Sequence, residues 1–143
     1  MWFREIERDL VEMGNGLLRL RTKDVGLKSP FFMLATEVSS IYSQGGKLRR
    51  VHHVLVLPSF EAVEKFNSSL MKKGGKLGSD GRPILGMNSK EVLKYLLDAS
   101  SEALMIPAHA WTPYFGIFGS KSGFDSIEEC FGDMTKHIFA FET

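Results

Sequence analysis

The chain has 143 residues, of which 43% are hydrophobic and 24% charged, a composition typical of one folded domain or a piece of a larger one. The net charge is only +1, from 18 basic and 17 acidic residues, so the totals lack the basic excess expected of a dedicated nucleic-acid binder. A single cysteine, Cys130, excludes an internal disulfide, and no apolar run approaches a signal peptide or the ~18 residues of a membrane span. We therefore expect a cytoplasmic protein with no membrane partner.

The first half of the chain is predicted to contain one helix and three strands. Apolar residues at helical spacing predict a helix over 2–13, which Gly14 would end. Gly45-Gly46 predicts a tight turn between the second and third strands. The three segments whose apolar, β-branched character favours strands are 16–21, 31–37 and 51–57.

The second half is predicted to alternate between helices and strands. Pro58-Ser59 favours the start of a helix that Gly74-Gly75 ends, and the spacing of Asn88 and Glu91 is that of a capping box. This alternation indicates an α/β architecture with at least part of a parallel sheet. The remaining predicted elements are a glycine-rich loop over 74–87, a helix from 88 to 99, a strand over 103–108, a loop of about fifteen residues, a helix over 126–136 and a strand over 137–142.

Three titratable side chains fall where predicted strands meet loops. Glu37 ends one strand, His52 begins the next, and His109 follows the strand over 103–108. If the Gly45-Gly46 turn folds its two strands together, all three reach the same rim of the sheet. Imidazole and carboxylate together suit zinc, manganese or iron, which can activate water against a phosphate. The residues alone leave open that the histidines are structural and that Glu37 is a cap or a salt-bridge partner.

Several other patterns are interpreted as structural. The glycine-rich loop lacks the lysine and serine or threonine that close a P-loop, and the segment 116–123 is nest-like but does not match a dinucleotide fingerprint. Cys130 has no obvious paired base, which favours a buried core thiol. The run Lys47–Arg50 is typical of a solvated hairpin tip, with phosphate contact as the alternative.

Six segments of the chain are unusual in composition: LATEVSSIY (34–42), VHHVLVLP (51–58), SDGRPILGM (79–87), PAHAWTPYF (107–115), SGFDSIEECFG (122–132) and HIFAFET (137–143). Together they resemble the endonuclease Q group of the PHP superfamily of metal-dependent phosphoesterases. The likeness runs from the first helix to Thr143 and implies a distorted (β/α)7 barrel with a two- or three-metal cluster. The family's His-x-His and Asp-x-His motifs do not occur here, so we expect 1–143 to be a single partial PHP-like domain lacking the first and last strands.

The resemblance also implies roles for individual residues. It implies Glu37, His52 and His109 as metal ligands. Because adjacent strand residues point to opposite faces, His53 is expected on the other face. Glu142, at a predicted strand end, is expected at most to contact a ligand.

The function implied is metal-dependent cleavage of the DNA backbone beside a deaminated base. Trp111, Tyr114 and Phe115 could stack on nucleic acid or plug the barrel mouth, and Lys121 is a candidate phosphate contact. The alternatives are a phosphatase acting on a small phosphate monoester and an inactive truncated remnant. With ligands and strands missing, we expect the chain alone to be a poor catalyst and to self-associate, through exposed strand edges or as a face-to-face dimer.

Overall fold

The computed structural model of the chain describes residues 3–21, 29–78 and 81–143, with backbone only for residues 3 and 4. Within these ranges the chain forms four α-helices, six strands and one 3₁₀ helix. The elements in chain order are α1 (Phe3–Asp9), β1 (Leu10–Gly14), β2 (Leu17–Leu20), β3 (Leu34–Gln44), β4 (Lys47–Leu57), α2 (Phe60–Lys72), β5 (Ile84–Leu85), α3 (Ser89–Ala99), β6 (Leu104–Pro107), α4 (Ile127–Phe131) and the 3₁₀ helix (Gly132–His137).

A four-stranded sheet in the order β5-β3-β4-β6 forms the centre of the fold. Pairing of β3 with β4 and of β4 with β6 is antiparallel, and the two-residue β5 pairs parallel to β3. The predicted α/β class is therefore confirmed, although parallel pairing of strands in the described ranges is limited to β5 and β3. The (β/α)7 barrel stays a prediction.

The hairpin of β3 and β4 is longer than the sequence predicted. Gly45 and Gly46 have φ values of 60° and 73°, the two positive values of a type I′ turn, as the glycine pair indicated. Eleven residue pairs follow, from Gln44 opposite Lys47 to Leu34 opposite Leu57. Glu37 and His52 consequently lie inside strands, and their predicted place at strand–loop junctions is wrong.

The N-terminal helix is shorter than predicted. It ends at Asp9, and the next residues form β1, which pairs antiparallel with β2. The turn between them has three successive residues with positive φ, Gly14 (90°), Asn15 (54°) and Gly16 (74°). An Asn-Gly pair is a strong hairpin signal, and it overrides the helical periodicity of the preceding segment. Trp2 of the predicted helix lies outside the described residues.

Helices α2 and α3 cover one face of the sheet, as their sequence signals indicated. The side chain of Ser59 caps α2 by accepting a hydrogen bond from the Ala62 N–H at 3.1 Å, and Asn88 caps α3 through the Glu91 N–H at 2.8 Å. Each fully buried aliphatic side chain beneath them contributes roughly 1.5–3 kcal/mol of hydrophobic stabilisation. The core on this face includes Val38, Val51, Leu55, Phe66, Leu93, Leu96 and Phe131, and Cys130 is buried with them.

The C-terminal segment corrects two predictions. The helix predicted over 126–136 is interrupted at Gly132, where α4 gives way to the 3₁₀ helix. The strand predicted over 137–142 is absent from this described segment. Only Glu142 bonds beside β6, donating its N–H to Pro107 at 3.0 Å and accepting from Ala110 at 2.8 Å, and one residue does not make a ladder. Across the described ranges, no helix is long and apolar enough to cross a lipid bilayer.

Candidate metal centre

The sheet face opposite the helices carries Glu37 and His52. His52 pairs with Ser39 across the hairpin, so Glu37, two residues from Ser39, is the diagonal neighbour of His52 on the same face. His53 points the other way, as strand alternation predicts, and its Nε2 lies 2.8 Å from the Ser89 hydroxyl. The polar pair on the open face thus follows from the hairpin register.

His109 reaches the same place from the loop that follows β6. Its Nε2 lies 3.1 Å from Nδ1 of His52, and Oε1 of Glu37 lies 3.1 Å from that same Nδ1. One ligand atom from each of the three residues falls within 4.8 Å of the others. The structure therefore brings together the three residues that were predicted from the sequence as candidate metal ligands.

Burial sets the protonation state of His52. Burial, and to a smaller extent the positive charge of Arg82, lowers the pKa of this imidazole to about 4 against an opposing effect of Glu37. His52 is consequently neutral at pH 7. The facing nitrogens of His52 and His109 cannot both carry a hydrogen at 3.1 Å, so at least one lone pair is available there.

The two carboxylate oxygens of Glu37 have different surroundings. Oε2 lies 2.9 Å from Nη2 of Arg82 in an ion pair. Oε1 lies 3.1 Å from Nδ1 of His52, yet it is buried and accepts no hydrogen bond from the residues that the structure describes. The side chain of Ser39, on the same face, likewise has a buried hydroxyl with no hydrogen-bond partner in the described part of the chain. A buried oxygen without a hydrogen-bond partner lowers the stability of the fold unless a ligand, such as a metal ion, binds it.

His109 has an unusual backbone conformation and is held in place by Glu142. Its φ is 34°, and its N–H donates to Oε2 of Glu142 at 2.9 Å. The same oxygen lies 3.6 Å from Nδ1 of the His109 ring. Glu142 is thus placed to orient the imidazole, in the manner of carboxylates behind metal-bound histidines.

Phe115 closes the site from the loop side. Its ring stacks on His52 with centroids 4.3 Å apart, and its carbonyl accepts the His52 N–H at 2.9 Å. Its φ of 64° is strained for a bulky residue, so the surrounding loop must enforce this position. Phe115 therefore packs on a candidate ligand.

The sequence did not identify Arg82 as part of the site, because its place depends on the parallel pairing of β5 with β3. Of the proposed DNA contacts, Trp111 is 68% exposed and its ring lies 5.0 Å from Phe118, and Tyr114 is also exposed. Lys121 lies outside the cluster, in a separate pocket. Ser79 and Asp80, at the start of the segment that carries Arg82, lie outside the described residues.

The residues present fit a divalent metal ion. With metal–ligand bonds of ~2.0–2.2 Å, tetrahedral ligand atoms lie ~3.4 Å apart. The observed 3.1 Å contacts and the 4.8 Å limit need only small adjustments to meet that spacing. One carboxylate and two imidazoles, one of them neutral through burial, are donors that zinc, manganese and iron accept.

Known structures share this arrangement of elements. The lesion-specific endonuclease Q from Pyrococcus furiosus matches 92% of this chain with a TM-score of 0.68 and 24% identity, a level that supports the fold alone. A second endonuclease Q structure, in complex with a 27-mer duplex substrate with an abasic lesion at the active site, matches 92% of this chain with a TM-score of 0.69 and 26% identity. The chain is endonuclease Q-like.

The endonuclease Q likeness covers only part of those enzymes. This chain spans 28% and 29% of the two endonuclease Q chains. Over 64 residues, 45% of this chain, it is also 34% identical to an uncharacterised protein of Methanocaldococcus jannaschii, of which it covers 8%. No protein-family model matches the chain.

Proposed function

We propose that this endonuclease Q-like chain supplies part of the metal centre of a DNA endonuclease that cuts the backbone beside deaminated bases. The observation that carries the proposal is the convergence of Glu37, His52 and His109, whose ligand atoms lie within 4.8 Å of one another. The endonuclease Q likeness supports DNA as the substrate class. It also supports a partial (β/α)7 barrel as the architecture of the wider domain.

Each residue of the centre has a distinct part in this proposal. Glu37 offers Oε1 while Arg82 holds Oε2, so the carboxylate is fixed in one orientation. His52 offers Nδ1 from a ring that Phe115 clamps by stacking. When bound, a zinc, manganese or iron ion supplies Lewis-acid chemistry for phosphodiester hydrolysis.

His109 offers Nε2, and Glu142 keeps its ring in place. None of the three ligands transfers a proton to the substrate. Trp111, which is largely exposed in the loop after His109, is proposed to stack on nucleic acid.

Calorimetric titration with zinc tests the centre. We expect a binding event that His109→Ala and Glu37→Gln each abolish or weaken at least tenfold. His137→Ala serves as the matched control, since His137 lies in the 3₁₀ helix and outside the cluster. Circular dichroism would establish that all variants stay folded. Equal zinc binding by all four proteins would show that the ion binds elsewhere.

A small phosphate monoester is the alternative substrate, favoured by the net charge of +1. Competition separates the two possibilities. A uracil-containing oligonucleotide should bind at lower concentration than an aryl phosphate if DNA is the substrate. The reverse order would favour the phosphatase.

A further inference from the structure

A second polar pocket, of about 240 Å³, lies where the start of β4 meets the loop after β6, and it shares no residue with the candidate metal centre. Its volume equals that of several water molecules at ~30 Å³ each, enough for a phosphate group and its hydration. The residues that give it its character are Lys47, Arg49, Phe118, Ser120, Lys121 and Asp125.

Close backbone packing builds the loop wall of this pocket. A Cβ added to Gly119 would lie 2.4 Å from the Thr112 carbonyl oxygen, and one added to Gly123 would lie 2.3 Å from the Gly119 nitrogen. The loop is tied to β4 because Arg50 donates its N–H to the Ser122 carbonyl at 3.2 Å. Lys121 therefore lies on a tightly folded support, and it lines the same pocket as Lys47 on the strand.

The charges in the pocket are unbalanced. Arg49 is buried, and its Nη2 forms a 2.6 Å ion pair with Glu129, which offsets its charge. Among the residues that the structure describes, no ion pair involves Lys47 or Lys121. Among the described residues that line the pocket, two are lysines and one, Asp125, is acidic.

Arg49 lies in the strand wall of the pocket and is fixed there by contacts of its own. Its side chain is only 6% exposed, and its Nη1 donates to the Gly123 carbonyl. Its Nε is buried with no hydrogen-bond partner in the described residues. The central carbon of its guanidinium lies 4.2 Å from the centroid of the Phe124 ring, so Arg49 supports the wall and leaves the lysines as the groups that a ligand can contact.

We propose that this pocket, with Lys47 and Lys121 as its cationic groups, binds a backbone phosphate of the DNA strand that enters the candidate metal centre. The proposal rests on the proposed function for its choice of DNA. The four strand steps from Leu48 to His52 correspond to ~13 Å at ~3.3 Å per residue. A strand that follows β4 from His52 toward the Gly45-Gly46 turn would reach the pocket over about four phosphates at ~3.4 Å each.

An aromatic surface adjoins the pocket on one side. Phe118 lines the pocket, and its ring lies 5.0 Å from Trp111 and 5.6 Å from Phe141. Trp111 and Phe141 are 68% and 37% exposed. A phosphate pocket beside exposed rings is the combination that single-stranded nucleic acid uses, with the bases stacked on the rings.

Fluorescence anisotropy with a labelled 12-nucleotide DNA single strand tests the proposal. Titrations are run in EDTA over a series of NaCl concentrations, so the metal centre contributes nothing. We expect Lys47→Gln with Lys121→Gln to weaken binding at least tenfold and to reduce the slope of log K against log salt by ~0.7 for each phosphate that the two lysines neutralise. Lys94→Gln, on the exposed side of α3, is the matched control and should leave both quantities unchanged.

Unchanged DNA affinity in the double variant, or an equal reduction in Lys94→Gln, would overturn the proposal. Amide NMR with inorganic phosphate identifies the ligand source: we expect saturable shifts around 119–125 that are absent from the double variant. If these shifts occur while DNA affinity is unaffected, the pocket serves a small phosphate and the DNA assignment is wrong. Zinc binding by Glu37→Gln is scored separately, so the failure of one site is not mistaken for failure of the other.

Discussion

Replacing Gly123 with alanine tests whether the loop between His109 and Ser126 is as tightly packed as its contacts indicate. The added Cβ would lie 2.3 Å from the Gly119 nitrogen, 2.6 Å from the Ile117 oxygen and 2.7 Å from the Gly116 oxygen. All three atoms belong to the backbone, so no side chain can rotate away. The φ of Gly123 is not positive, which leaves steric overlap as the cause of any effect.

Two opposing contributions set the size of that effect. To reach 3.4 Å, the neighbouring atoms would have to retreat by about 0.7–1.1 Å, and overpacking of this kind costs roughly 1–3 kcal/mol. The reduced freedom of alanine in the unfolded chain returns only about 0.4–1 kcal/mol. We therefore expect a net decrease of about 1–2 kcal/mol in the free energy of unfolding, which lowers Tm by roughly 2–8 °C for a chain of this size.

Thermal denaturation followed by circular dichroism measures the change. Gly86→Ala is the matched control, because nothing lies within 4 Å of its added Cβ and its φ is not positive. It should keep the wild-type Tm or raise it slightly. Zinc and DNA affinities should both fall in Gly123→Ala, since the same loop carries His109 and Lys121. A Tm within about 1 °C of the control would refute the packing argument.

Four further predictions follow from the same structure. Glu142→Ala should weaken zinc binding by about 10–100-fold, with exposed Glu128→Ala as the control, because the His109 ring loses its support; equal affinities would contradict this. Burial raises the pKa of the Cys130 thiol to about 11, so its contribution to stability is present below pH ~9 and is lost as pH rises through 11. That contribution is roughly 2–3 kcal/mol, and urea unfolding of Cys130→Ala should show a correspondingly weaker alkaline decline than the wild type. The chain alone should hydrolyse uracil-containing DNA and aryl phosphates poorly with added manganese or zinc, and robust turnover abolished by His109→Ala would refute this. Light scattering at low micromolar concentration should show self-association through the exposed strand edges, and a monodisperse monomer would contradict it.

Local signals in the sequence predicted the elements whose causes are local. Ser59 and Asn88 identified the starts of α2 and α3, because a cap is a contact between residues three apart. The Gly45-Gly46 pair identified the hairpin because a tight turn depends on the backbone conformation of its own two residues. The approach of Glu37 to His52 followed from these signals combined with strand alternation.

Features that depend on distant partners were not predictable in this way. Arg82 reaches the site because the two-residue strand β5 pairs parallel to β3, and no turn residue in the sequence predicts that pairing. Arg49 was assigned to a solvated hairpin tip, which is wrong, because its ion pair with Glu129 buries it. The N-terminal hairpin was missed for a different reason, since Asn15-Gly16 is a local signal that competed with the helical spacing before it.

The proximity of Glu37 and His52 depends on the register between β3 and β4, and therefore on the number of residues in the turn that joins them. If β4 shifted by one position against β3, His53 would turn toward Glu37 and His52 would face the helices. A shift of two positions would restore the face but carry His52 ~7 Å along the strand. The turn at Gly45-Gly46 therefore tolerates changes of sequence more readily than changes of length, and an insertion of one residue there leaves the candidate centre intact only if a bulge elsewhere in the hairpin absorbs it.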